Sequence, residues 1–314
     1  MDALTDVLHA LELKGWLHSR MEMILPWRFD FLTSPDSIFH LLSGGHGYLS
    51  VEGEAAPRRI GSGDVLLFPF GHAHSIGDEP SSPLTRTVHL AYSAHREYQV
   101  LPFEGEGPKM GILCGAFHFE HPNDYPFLQC LPKVIHIPGE QGRMAQSFAE
   151  LVQMLARESG ERLVGREVVL RRLTELLFIQ VIRVWIEQQA ETSTGWIAAL
   201  RDQSISTALG LIHQSPDRGW KVEELAEAVA LSRSAFSARF TRLVGEAPIT
   251  YLTRWRMQRA KRLLKNDVKI QTIAPLVGYE SEVAFRQAFK REVGISPARY
   301  RKLGEPVSTT WERA

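Results

Sequence analysis

At 314 residues the chain can bury two cores of ordinary size, and a composition free of low-complexity tracts excludes a fibrous or disordered class. Its 36 basic and 36 acidic residues cancel overall, yet residues 205–302 hold 18 basic and 9 acidic side chains, net +9, which leaves the remainder at −9. That asymmetry points to a polyanion-binding half joined to a half with another task.

The two cysteines, Cys114 and Cys130, form no Cys-x-x-Cys pair, which argues against a disulfide scaffold and fits a reducing compartment. The N-terminal stretch MDALTDVLHALELKG carries acids and lacks a cationic leader, so it reads as no signal peptide. The most apolar helical segment, Val168 to Ile186, is interrupted by Arg171, Arg172, Glu175 and Arg183 and reads as amphipathic, not membrane-spanning. A cytoplasmic protein is expected.

The first third reads as β. IFHLLSG, GYLSVEG, PRRIGSGDVLLFPFG, TVHLAYS and GILCGAFHF are short, rich in β-branched and aromatic residues, and bounded by Gly, Pro or Ser. Strands at this spacing without intervening helices suggest a sandwich or barrel. Within them, GDVLLFPFGHAH places Gly63, Pro69, Gly71 and His74 at a set spacing. Gly63 permits a tight turn before a strand, Pro69 and Gly71 end that strand, and His74 opens the next, pointing inward. This spacing resembles the second motif of cupins.

The resemblance raises a metal site, since many cupins use three histidines and a glutamate. Here His40 and His46 stand isolated, Glu52 and Glu54 lie near a turn, and His72 and His74 straddle the expected turn. No metal or other cofactor is expected; His40 and His74 are the candidates should a metal bind. His40, His74 and Cys114 are candidate lining residues of an effector pocket. Cys114, in a strand, reads as a buried small hydrophobe; the alternative is a redox sensor using Cys114, Cys130 or both.

From about Gly139 the period becomes helical. Met144 to Ala156 and Glu167 to Gln188 carry apolar stripes, the second with Leu170, Leu173, Leu177, Val181 and Val184. These stripes serve as core cover, as a dimer seam, or as both. A polar linker, Gln189 to Gly195, separates them from a wholly helical remainder that ends near Lys302.

That remainder contains a tandem repeat. Leu225, Ala226 and Val229 match Ile273, Ala274 and Val277 at an offset of 48. Ser232, Phe236, Phe240, Val244, Gly245, Pro248 and Tyr251 match Ser281, Phe285, Phe289, Val293, Gly294, Pro297 and Tyr300 at 49. Each copy reads as a short helix, a tight turn, an N-capping serine, and a second helix whose phenylalanines, four apart, share a buried face. The opposite face carries Arg233, Arg239 and Arg242, or Arg286, Lys290 and Arg291. This describes a helix-turn-helix whose second helix enters a major groove. A helix over Ile249 to Leu264 joins the copies, and Pro275 fits if its helix starts near Thr272.

The pattern of Leu225-Ala226, Ser232-Arg233-Ser234, Arg256-Met257 and Val277-Gly278-Tyr279 through Ser296-Pro297 resembles the DNA-binding domain of AraC/XylS-type bacterial transcription regulators over residues 205–302. The resemblance implies α+β multidomain architecture: a cupin-like β-barrel with trailing helices as sensory and dimerisation domain (1–188), a linker and helix start (189–200), an all-α tandem helix-turn-helix domain (201–303) and a tail (304–314). It implies base-facing positions at Arg233, Ser234, Ser237 and Ala238, then Glu282, Val283, Arg286 and Gln287. Arg239, Arg242, Lys290 and Arg291 are expected on phosphates, which position without specifying. Relatives often carry Arg at the positions of Ala238 and Gln287, so the operator sequence cannot be copied from theirs. The expected partners are promoter DNA, RNA polymerase, a second copy of the chain, and a small-molecule or redox effector. Activation is favoured over repression, without catalysis; the alternative is a metal-dependent cupin enzyme with an appended nucleic-acid-binding domain.

Overall fold

The computed structural model describes residues 3–11, 13–90, 98–102, 109–119, 125–139, 146–161, 163–189 and 195–303. Most of the expected linker (190–194) and the tail lie outside them. In chain order the elements begin with α1 (Ala3–Ala10), β1 (Lys14–Ile24), β2 (Arg28–Phe31), β3 (Ser37–Ser43), β4 (His46–Val51), β5 (Arg58–Gly61), β6 (Val65–Phe68), β7 (His74–Gly77), β8 (Arg86–Val88), β9 (Gln99–Pro102) and β10 (Lys109–His118). They continue with α2 (Pro126–Gln129), β11 (Ile135–Ile137), α3 (Gln146–Gly160), α4 (Arg166–Gln188), α5 (Trp196–Arg201), α6 (Gln203–Gln214) and α7 (Val222–Ala228). The last are α8 (Arg233–Val244), α9 (Pro248–Lys265), α10 (Ile270–Leu276), α11 (Glu282–Val293) and α12 (Pro297–Leu303).

The chain divides into two compact units: the strands with α3 and α4, and a helical unit. The strands form two sheets, ordered β11-β6-β3-β10-β1-β9 and β5-β4-β7-β2-β8. Inward residues of both meet in one core, including Met21, Phe29, Phe31, Leu49, Phe68, Ile76 and Ile112. The mixture of sheet unit and helical unit is the α+β organisation expected from sequence, with the strands divided between two sheets that share a core.

Local chemistry explains the turns before β6 and β7. Gly63 and Gly71 hold φ of +85° and +57°. At Gly71 a Cβ would lie 2.2 Å from the Ser34 carbonyl oxygen and 2.4 Å from that of Asp36, so only glycine fits. His74 opens β7 and is buried, as the motif requires.

On α4, Leu170, Leu173, Leu177, Val181 and Val184 are all buried. Their helix packs on β1, β10 and β11 of its own unit, where Phe178 meets Phe117 edge-on at 5.2 Å. Gly15 of β1 permits this approach, since a Cβ there would lie 2.8 Å from Thr174 Cγ2. The stripe is therefore core cover within one chain. The exposed apolar residues near it are different: Leu163, Val164, Val168, Val169 and Leu176.

The helical unit does not follow chain order. Helices α1 and α2, which precede and interrupt the strands, group with α5–α12. One expectation is corrected here. Helix α10 begins at Ile270, so Pro275 lies inside it and not in its first turn. The ring forfeits the bond to the Gln271 carbonyl. The helix stops at once, with Val277 N–H on the Ile273 carbonyl and Tyr279 N–H on that of Ala274. Among the described residues no helix is long and apolar enough to cross a membrane.

Candidate nucleic-acid interface

The two repeat copies fold to the same local plan. Ser232 Oγ accepts from Ala235 N–H at 3.3 Å, and Ser281 Oγ from Ala284 N–H at 3.1 Å. Each cap satisfies one donor that a helix start leaves open. Each following helix has 12 residues and ends at a left-handed glycine, Gly245 (φ +91°) or Gly294 (φ +83°). The turns before the caps also match. Ala230 and Gly278 both hold positive φ, and the next N–H, of Leu231 or Tyr279, returns to the carbonyl of Ala226 or Ala274 at 2.9 Å.

Phe236, Phe240, Phe285 and Phe289 are all fully buried. That fixes which faces of α8 and α11 remain outside. Arg233, Ser234 and Ala238 on α8 and Val283, Arg286 and Gln287 on α11 are exposed; Ser237 and Glu282 are partly so. The structure thus places all eight base-facing candidates on accessible faces of capped helices. Arg233 Nε lies 3.0 Å from Glu223, and Arg286 is held by Glu282 one turn earlier, its Nε at 2.6 Å. Such exposed pairs contribute roughly 0–1 kcal/mol, so either arginine can be exchanged onto a base at little cost.

The four phosphate candidates are exposed but differ in their partners. Arg239 grips Asp202 through Nε at 2.6 Å and Nη2 at 2.5 Å. Asp202 also caps α6 by accepting from Ile205 N–H at 3.1 Å. Arg239 therefore ties α8 to α6 in addition to facing outward. Arg291 pairs with Glu292 at 2.9 Å. Arg242 and Lys290 have no acidic partner among the described residues.

A residue that sequence reasoning passed over as functional joins the two copies. Arg256, on the shared helix α9, donates Nε to the Pro216 carbonyl at 2.6 Å and Nη2 to the Arg218 carbonyl at 2.9 Å. Its guanidinium also lies 5.6 Å from the ring centre of Tyr279 in the second copy. A Cβ at Gly278 would lie 2.6 Å from Arg256 Nη2 and 2.7 Å from the Asp217 carbonyl oxygen. The glycine therefore serves the close approach of three segments as well as the turn. The repeat itself held the signal: Gly278 corresponds to Ala230, and only the second copy needs the glycine.

In the sheet unit the structure brings His40, His74 and Cys114 together, in packed core. His40 Nδ1 lies 3.0 Å from Cys114 Sγ, and His40 Nε2 lies 2.8 Å from His74 Nε2. His74 stacks between Phe68, at 3.7 Å, and Phe31, at 4.8 Å. The proton positions follow from donor logic. His74 Nδ1 meets the His72 carbonyl at 2.8 Å and must donate. Burial lowers the His74 pKa to about 4 and pulls that of His40 well down, so both rings are neutral. His74 Nε2 then accepts, His40 Nε2 donates, and His40 Nδ1 accepts from the Cys114 thiol, whose pKa burial pushes far up. The histidines meet through their Nε2 atoms while the thiol lies at the opposite nitrogen of His40, so the three groups do not converge on one point. Among the described residues no group of three or more His, Cys, Asp or Glu side chains could hold a metal.

Two helix-turn-helix copies of this build, in a chain that also carries a cupin-type sheet unit, are the organisation of a DNA-binding regulator. The Cupin family matches residues 2–187, and the Helix-turn-helix domain family matches residues 225–303. A putative AraC-like transcription regulator of Streptomyces lividans is 30% identical over 304 residues, 96% of this chain and 98% of that protein. The HTH-type transcriptional regulator AlkR of Acinetobacter baylyi is 30% identical over 306 residues, 96% of this chain and 99% of that protein. Among solved structures, the DNA-binding domain of AdpA in complex with a target DNA is 32% identical, covering 35% of this chain and 92% of that one, with a TM-score of 0.29. The chain belongs to the AraC family of DNA-binding transcription regulators.

Two outcomes follow from this geometry. Arg256→Met removes two charge-assisted bonds to backbone and should cost about 2 kcal/mol, read as a lower Tm, with weaker binding of any DNA that spans both helices. For the histidine pair, the folded pKa of His74, about 4, lies below its ordinary 6.5. The unfolded chain therefore binds more protons between these values, and stability falls as pH drops through that window while remaining whole above it. The gap corresponds to roughly 3 kcal/mol. Urea unfolding between pH 7 and pH 4 should show at least this loss, and His74→Gln should lessen it, leaving the part that the lowered pKa of His40 contributes.

Proposed function

We propose that this regulator activates transcription by reading two successive major grooves with α8 and α11, under control of residues 1–188. The observation that carries the reading is the duplication: two helices of equal length, capped alike, bury the same face and expose basic ones on a single chain. Two such helices on one rigid connector suit half-sites one duplex turn apart. In this reading Arg233, Ser234, Ser237 and Ala238 face one groove, and Glu282, Val283, Arg286 and Gln287 the next. Ala238 offers only a methyl, suited to thymine, while Gln287 can bond adenine with two hydrogen bonds. Arg242, Lys290, Arg239 and Arg291 meet phosphates. RNA polymerase is the partner through which activation acts.

The sheet unit receives the signal. Its buried Cys114–His40–His74 chain is a device for holding one packing arrangement, and an effector or oxidant that alters it would change how the DNA reader is presented. The alternative, a metal-dependent enzyme, would need a third ligand that His40 and His74 do not have beside them among the described residues. Dimerisation completes the proposal. The apolar residues left exposed on and before α4, Val164, Val168, Val169 and Leu176, are the seam that fits it. Leu176→Lys should halve the mass measured by light scattering, and an unchanged mass would remove this seam.

The deciding measurement is anisotropy of DNA from upstream of the protein's own gene, with unrelated competitor, across salt concentrations. Competitor-resistant binding with a steep salt slope is expected. Gln287→Ala should relax preference at one base pair by about 1–3 kcal/mol, whereas Lys290→Ala should weaken all sequences alike and reduce the salt slope by about one. If both variants acted identically on cognate and random DNA, the assignment of α11 as a reader would fail.

A further inference from the structure

Helix α1 lies within the stretch matched by the Cupin family, yet it groups with the helical unit and packs on α6. Its buried face is Ala3, Val7 and Ala10, continued by Leu11, a helical stripe set against α6. Asp6 on α1 places its carboxylate 3.5 Å from His213 Nδ1, on α6. The other imidazole nitrogen meets the Tyr251 hydroxyl at 2.6 Å, and the ring stacks on Trp255 at 3.9 Å. Tyr251 in turn packs edge-on against Phe240 of α8 at 5.9 Å. An unbroken line of contacts thus runs from Asp6 to the buried face of the first reading helix.

The far end of α1 is held as well. The Tyr125 hydroxyl donates to the Ala10 carbonyl at 2.5 Å, and Phe127 of α2 meets Trp196 of α5. The crevice between Val7, Tyr125, Trp196 and Trp255 has a volume of only about 10 Å³, room for one water at most. By contrast, the second copy has its own core, built from Met257, Leu264, Ile273, Phe285, Phe289, Tyr300 and their neighbours, with no residue of α1 or α2. In sequence, only Glu12 and Leu13 separate Leu11 from β1.

We propose that α1 is a positioning element for the first DNA-reading helix. Docked, it buries the aromatic platform of α6 and α9 and holds α8 for the groove. Withdrawn, it leaves His213 without its carboxylate and opens the tight packing of Trp255 and Tyr251, so the first groove contact weakens while the second persists. Because only Glu12 and Leu13 separate Leu11 from β1 in sequence, the state of the sheet unit has a short covalent route to one reader and not the other. The proposal rests on the reading of α8 and α11 as DNA readers.

The test uses the full chain, by amide hydrogen exchange without DNA and by footprinting with it. The variants are Val7→Asp, which sets a charge on the buried face, and Asp6→Asn; His9→Ala, on the exposed face, is the control. Val7→Asp should speed exchange in α6 and α8 roughly tenfold, leave α11 unchanged, and erase protection in one of two successive grooves. Asp6→Asn should do the same more weakly. Unchanged exchange in α8, or equal acceleration in α8 and α11, would overturn the proposal. If exchange behaves as expected but the unmodified protein protects no DNA, the DNA-reading assignment fails instead.

Discussion

The junction between the two helix-turn-helix copies depends on one guanidinium. Arg256 stands on α9, the helix common to both copies, and spends its donors on the backbone carbonyls of the loop before α7 while lying against Tyr279 beyond α10. Backbone carbonyls do not change rotamer, so bonds to them fix position better than bonds to surface side chains would. Burial lowers the pKa of this guanidinium, which marks how far it is drawn from water. Two independent helix-turn-helix units on a flexible tether would carry an entropic cost on engaging DNA at both sites. A shared helix with a cross-link at Arg256 lowers that cost by fixing the two copies relative to one another.

The same economy explains why the two copies diverge at one turn. Both need a residue at positive φ before the N-cap, and Ala230 shows that alanine can hold that conformation. A left-handed alanine costs about 1–2 kcal/mol relative to glycine. In the second copy the same position also meets Arg256 and the Asp217 carbonyl, and no Cβ fits. The glycine is a consequence of the junction between copies and not of the turn alone.

The sheet unit solves a different problem. A buried polar residue must find partners, and three of them here satisfy one another in a directed chain ending on the His72 carbonyl. Phe31 and Phe68 close around the imidazoles. The result is a specific core with one allowed set of tautomers, and a thiol that burial keeps protonated.

Much was legible in the sequence because it rests on local spacing. The repeat, its serine caps, the inward phenylalanines and the exposed basic faces follow from helical periodicity, which neighbours in the chain determine. The turn from Gly63 to His74 was legible for the same reason. Strand β1 was missed although its burial alternates strictly from Gly15 to Ile24; Gly15 and Ser19 on the buried face, with Trp16 and Ile24 on the other, blurred the period of two. What tertiary structure alone decided is pairing at a distance. It turned the α4 stripe onto its own sheet, aligned His40 with Cys114 across β3 and β10, drew Arg239 onto Asp202, and set α1 among helices that follow it by some two hundred residues. Periodicity identifies the face a segment will bury, but every apolar face is compatible with many others. Only the closing of the whole chain, with each buried polar group matched to a partner, selects which faces meet.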